Sequence, residues 1–319
     1  MAYEDEAAER GLRELMAGDP LRALAAADAA RARTVYPVLV PAGPMFGVAE
    51  RVASGWRVRS MGEATPQCAR DDLAGQLRQE AQRATEPEPY LAAARLLDWQ
   101  RHDELTVGGR VFRVIRVEQL LRMNATAPEG PRPTDPDPKF RRSRPRPAEL
   151  LSPDGPRTPD RLALAAEFAD LADRPGLLEG DALADAQRAL DSHPIPVPMA
   201  AAFSVAEFLH DGWRSATAAC ATPHLAREAL AEYLQQVIPA VERPDPATRR
   251  AYSEAAILLT TARLDEISVA GRRFRVVRLE KIARFGEDGP ETPRPSDFDP
   301  DPPIEIMAMR LRADGIIDD

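Results

Sequence analysis

Two stretches of this chain repeat one another in a fixed register, and that repeat limits the fold more than any other feature. Phe46-Gly-Val-Ala-Glu50, Gly55-Trp56-Arg57 and Thr65-Pro66 recur as Phe203-Ser-Val-Ala-Glu207, Gly212-Trp213-Arg214 and Thr222-Pro223, at an offset of 157 (213 − 56). Asp103-Glu104 matches Asp265-Glu266 at an offset of 162 (265 − 103), so the later stretch carries five extra residues in between. From there Val107–Glu118 lies over Val269–Glu280 without a gap, and Pro131-Arg-Pro-Thr-Asp-Pro-Asp-Pro138 lies over Pro293-Arg-Pro-Ser-Asp-Phe-Asp-Pro300. Ungapped agreement on Trp, Phe, Pro and Gly over such a length is not a chance event. The chain reads as an internal duplication.

Local signals predict one order of elements in both stretches. Met45–Arg59 breaks at Ala53-Ser54-Gly55 and reads as two strands joined by a turn, and Asp211-Gly212 makes the same break. Thr65-Pro66 and Thr222-Pro223 each supply an N-cap hydroxyl followed by a proline at the first helical position. A second helix follows, with Tyr90/Tyr252, Ala94/Ala256 and Leu97/Leu259 on one face. Gly108-Gly109 and Ala270-Gly271 then predict tight hairpin turns, and the strands after them carry Phe112 and Phe274. The predicted class is therefore α+β. Two tandem β-β-α-α-β-β units are expected, each an antiparallel sheet covered by helices, related by a pseudo-twofold. Helical segments, roughly Glu4–Arg33 and Asp160–Asp191, precede the units.

A chain of 319 residues exceeds what one core usually holds. The expected division is a first unit with its N-terminal helices at 1–138, a Pro/Arg-rich linker at 139–158, a second unit at 159–302 and a tail at 303–319. A net charge of −9 opposes a broad nucleic-acid surface. The one basic cluster, Lys139–Pro147, reads as a solvated linker. Cys68 and Cys220 are not equivalent in the two stretches and read as structural thiols of a reducing compartment. The start is acidic and lacks an apolar leader, and no apolar run approaches the ~20 residues of a membrane span. A cytoplasmic protein is expected.

The block Gly-Arg-x-Phe-Arg-Val-x-Arg-x-Glu, followed by Pro-Arg-Pro-[Thr/Ser]-Asp-x-Asp-Pro, resembles an actinobacterial, largely Streptomyces, family known as a domain of unknown function. With the upstream Gly-Trp-Arg and Thr-Pro, the resemblance covers most of both stretches. It implies an actinobacterial intracellular protein. It carries no activity or catalytic residues across.

The candidate binding residues are charges kept in both stretches: Arg113/Arg275, Arg116/Arg278 and Glu118/Glu280, with Arg122/Arg284 beyond them. Guanidinium groups suit carboxylate or phosphate, so a groove shared by the two units would take a small anionic ligand. The competing expectation is that they form internal ion pairs with Asp135, Asp137, Asp297 and Asp299 of the proline-stiffened arms. Trp56, Trp213, Phe112 and Phe274 are expected to anchor packing, so that Trp56→Ala or Trp213→Ala costs about 3–5 kcal/mol. The sequence has no GxSxG, phosphate-binding or dinucleotide-binding glycine motif, and its four histidines have no metal-ligand spacing. No cofactor, metal or catalytic residue is implied. The expected function is a protein-interaction or regulatory module, with an enzyme or anionic-ligand binder between the units as the alternative.

Overall fold

The computed structural model describes residues 20–138, 149–172 and 178–317. The basic run Lys139–Pro147 and the part of the expected N-terminal helix before residue 20 lie outside them. The chain enters on α1 (Pro20–Val35) and forms a long hairpin, β1 (Val38–Val52) and β2 (Gly55–Glu63). A helix pair, α2 (Pro66–Ala81) and α3 (Glu88–Trp99), leads into a second hairpin, β3 (Glu104–Val107) and β4 (Arg110–Met123). A two-residue strand β5 (Leu150–Leu151), α4 (Pro159–Ala172) and α5 (Gly180–Ser192) follow.

A similar order then recurs: β6 (Ile195–Pro198), β7 (Ala202–Leu209), β8 (Gly212–Ser215) and α6 (Pro223–Glu232). A π turn at Tyr233–Val237 connects to α7 (Ile238–Glu242), α8 (Pro246–Thr261), β9 (Glu266–Val269) and β10 (Arg272–Gly286). β11 (Gly289–Pro290) and α9 (Ile304–Ala313) end the described chain. Thr65 and Thr222 cap α2 and α6 as their hydroxyls allow, accepting the amides of Cys68 and Leu225 at 3.2 Å each. Residues 303–319, expected as a tail, contain α9, which packs on α3.

All the strands join one antiparallel sheet in the order β5-β2-β1-β4-β10-β7-β8, with β3, β6, β9 and β11 pairing on β4 or β10. Two separate sheets were the expectation. They merge because β4 runs to Met123 and β10 to Gly286, well past the matched block, and each would otherwise expose a bare edge. In the seam Gln119 faces Lys281, flanked by Leu121↔Leu279 and Val117↔Ala283.

Alternation along β4 and β10 sends even-numbered residues to the helical side and odd-numbered ones to the reverse side. On the helical side Phe112 and Val114 pack with Leu73, Leu77 and Leu97. Phe274 and Val205 pack with Leu230, Leu234 and Leu259, and Leu120 and Ile282 meet Leu164 and Phe168 of α4. The reverse side carries a further core around Trp56, Ile115, Val117 and Phe285.

Candidate functional site

Arg116 and Glu118 of β4, and Arg278 and Glu280 of β10, continue the helical-side row where the apolar cores stop. Each set is closed by a distant segment. Arg116 Nε lies 3.0 Å from Asp297, its guanidinium also bonds Glu118, and Arg294 approaches Glu118 at 3.4 Å. Arg278 Nε lies 3.1 Å from Asp135, its guanidinium bonds Glu280, and Arg132 reaches Glu280 at 2.8 Å. The backbones join as well: the Arg116 amide donates to the Glu291 carbonyl at 2.9 Å, and the Arg278 amide to the Glu129 carbonyl at 2.9 Å.

The arms therefore cross. The arm that follows β4 docks on β10, where Asp137 also takes Arg227 of α6 at 2.8 Å. The arm that follows β10 docks on β4, where Asp299 takes Arg70 of α2 at 2.7 Å and the Gln67 amide at 2.8 Å. Asp28 of α1 accepts the Thr134 hydroxyl at 2.8 Å, and Asp185 of α5 accepts the Ser296 amide at 2.8 Å, pinning each arm at its middle. Burial pushes the carboxyls of Glu118 and Glu280 up. The charges of Arg116 and Arg294, and of Arg278 and Arg132, outweigh it and hold both below the usual carboxylate range.

Arg113 contacts Glu104 at 2.5 Å and donates to the Pro290 carbonyl at 3.0 Å, with its guanidinium 4.8 Å above the Trp56 ring. Arg275 pairs with Glu266 at 2.9 Å and donates to the Tyr36 hydroxyl at 3.2 Å. Sequence reasoning passed over a further pair of networks. Arg110 joins Glu50 and Glu80, both at 2.8 Å, as Arg272 joins Glu207 at 2.6 Å and Glu242 at 2.8 Å. Their offsets of 157 (207 − 50) and 162 (272 − 110) were the signal that could have found them. Among the described residues, no group of three or more His, Cys, Asp or Glu could hold a metal ion.

Two concavities flank the seam. On the helical side a cleft of about 170 Å3 is lined by Arg33, Arg122, Arg161, Arg278 and Glu280, among others. Arg122 is buried and bonds Glu167 at 2.7 Å, but its Nε and Nη1 have no partner among the described residues. On the reverse side a groove of about 660 Å3 runs between β1 and β8, floored by Leu121, Val277 and Leu279 and edged by Trp213.

This groove is the counterpart, by the two sequence offsets, of the core around Trp56. Trp56 is 5% exposed beneath β5: Leu151 faces it in the strand register, and the Val58 amide donates to the Glu149 carbonyl at 2.8 Å. Trp213 is half-buried, with its indole donating to the Thr126 carbonyl at 3.1 Å and Arg273 5.2 Å from its ring. Among the described residues no strand pairs with the outer side of β8.

The side chains differ in the same sense. Where the closed side has Met199 and Phe285, the open side has Ala42 and Met123. Gly55 and Gly212 share a left-handed backbone at φ +135° and +133°. A Cβ on Gly55 would stand 2.4 Å from the Leu151 carbonyl oxygen, whereas one on Gly212 would meet nothing within 4 Å. Among the described residues, the chain itself fills the first seat and no strand lies against the second.

No curated protein and no solved structure matches the chain. A family model matches residues 19–300, from the start of α1 to the end of the second arm, and so spans every residue of the crossed network. The chain belongs to the family of unknown function DUF5954.

Proposed function

We propose that the chain is two copies of one β-β-α-α-β-β unit, residues 1–138 and 159–302, clasped by exchanged arms, and that it serves as a protein-interaction module. The open groove beside Trp213 carries this reading. Its volume of about 660 Å3 is in the range of ligand-binding sites, and its floor and rim are largely apolar. The charged residues favour a structural clasp. Arg116, Glu118, Arg278 and Glu280 are each satisfied from within the chain, and the two glutamates stay ionised well below neutral pH, which unsuits them to shuttle protons. The family resemblance adds an actinobacterial, cytoplasmic setting.

Photo-crosslinking in the native cell tests this. A benzoylphenylalanine at Arg214, on the open edge, is expected to trap a discrete partner, and one at Arg57, on the closed edge, is not. Equal labelling at both positions, or none at either, would remove the groove as a docking face.

A second reading, a small anionic ligand between the units, draws on the Arg122 nitrogens in the smaller cleft. It expects phosphate or sulfate to raise the melting temperature of the protein and not that of Arg122→Met. An equal response of both proteins ends it.

A further inference from the structure

We propose that the partner of the groove is an extended segment carrying an apolar residue, which adds as an antiparallel strand to the outer side of β8. This rests on the docking reading above and names the kind of partner. The chain supplies its own precedent at the other edge of the sheet. There Leu150 and Leu151 pair antiparallel with Arg57 and Trp56, and Leu151 is 1% exposed in the core around Trp56, while Leu150 is 47% exposed.

On β8 the counterparts are Arg214 and Trp213, and Ser215 stands where Val58 receives the Glu149 carbonyl. Among the described residues β8 ends the sheet, so its outer backbone groups present a template for strand addition. The groove continues directly from the β4–β10 seam through Leu121, Val277 and Leu279. An apolar side chain set across from Trp213 would enter it as Leu151 enters the closed side. Backbone pairing supplies the attachment and a single inward side chain supplies the selection.

Two leucines in a row therefore have unequal parts. The one facing Trp213 points into the groove, and its neighbour points to solvent, as Leu150 does. This inequality separates strand addition from adhesion of any greasy peptide.

The probe is a blocked peptide with the sequence of residues 148–153, Ala-Glu-Leu-Leu-Ser-Pro, titrated into the full chain. The NMR signals of the three indole N–H groups are followed, with Trp213 assigned by Trp213→Phe. A saturable shift of the Trp213 indole and the Ser215 amide is expected, with a midpoint below about 1 mM, and the Trp56 indole should hold still. Changing the second leucine of the peptide to Asp should abolish the shift. Changing the first should alter the midpoint less than about threefold.

A protein carrying Ala42→Met and Met123→Phe reproduces the side chains among which Leu151 sits on the closed side, so it should bind the peptide no more weakly than the parent while melting no lower. Equal effects of the two leucine changes, or no shift at several millimolar peptide, overturn strand addition. If the photo-crosslinks at Arg214 persist in that case, the docking face survives and only the kind of partner is wrong. If they vanish too, both fall. A concentration-dependent dimer that protects the Ser215 amide from exchange would assign the edge to a second copy of the chain and overturn the proposal as well.

Discussion

Trp56 and Trp213 stand 157 residues apart (213 − 56) in the same Gly-Trp-Arg triplet, on the same kind of hairpin, yet they live in different surroundings. One is sealed by a two-residue strand with Met199 and Phe285 behind it; the other borders a groove with Ala42 and Met123 in the corresponding places. Local sequence did not decide this. A tryptophan on a strand is buried only if something covers it, and here the cover for Trp56 comes from Leu150–Leu151, almost a hundred residues downstream, and from Gly289 of β11 against the indole. Trp56 is buried, whereas Trp213 is a half-exposed rim residue whose indole bonds the Thr126 carbonyl.

The sharpest way to break the comparison is to truncate both rings. Trp56→Ala should lower the unfolding free energy by about 3–5 kcal/mol, and Trp213→Ala by about 1 kcal/mol or less, both read by urea denaturation. Equal losses would mean that the groove closes in solution. Next in size is Leu151→Ala, expected to cost about 2–4 kcal/mol although it lies in a two-residue strand, because its side chain is fully buried. A loss under about 0.5 kcal/mol would show that β5 is not the cover.

Gly55→Ala and Gly212→Ala share the backbone strain of a left-handed residue, roughly 1–2 kcal/mol. Only Gly55→Ala also drives a methyl group into the Leu151 carbonyl, so it should be the worse of the two in a thermal melt, and the reverse order would refute the crowding.

The smallest effect comes from acid. Hydrogen bonds from Arg110 and Arg59 hold the Glu80 carboxyl at about 2, and burial of Glu50 is outweighed by Arg110 and Arg59, which hold it low as well. Depressed carboxyls contribute stability that is complete above their ordinary value near 4.5 and is lost as pH falls toward about 2. Glu80 is partly solvated, so the loss should be modest. Glu80→Gln should flatten that part of the stability profile, and an unchanged profile would exclude the group.

Much of the fold was legible because the signals were local. Thr65 and Thr222 marked helix starts, the Tyr90 and Tyr252 spacing marked one helical face, and the matched Gly-Arg-x-Phe-Arg-Val blocks marked the long strands. Of the arm aspartates, Asp135 and Asp297 pair with arginines of the opposite hairpin, and Asp137 and Asp299 with arginines of the helix beside it. Which hairpin an arm reaches depends on chain path and sheet order, and a repeated motif reads the same either way. The single sheet, the β5 cover and the open groove all arise from contacts more than eighty residues apart, where periodicity is silent. Arg122 was noted only as a repeated charge; nothing in its neighbours revealed two nitrogens without acceptors.

The crossing of the arms has a consequence for how the chain is made. Arg116 finds its aspartate 181 residues further on, at Asp297, and the ribosome needs roughly 10–40 s to travel that distance. During that interval the N-terminal portion holds a guanidinium destined for burial with Glu118 beside it but without the Asp297 carboxylate. Chains halted before the last arm should therefore be cleaved faster by proteases than the chain that has reached Asp299.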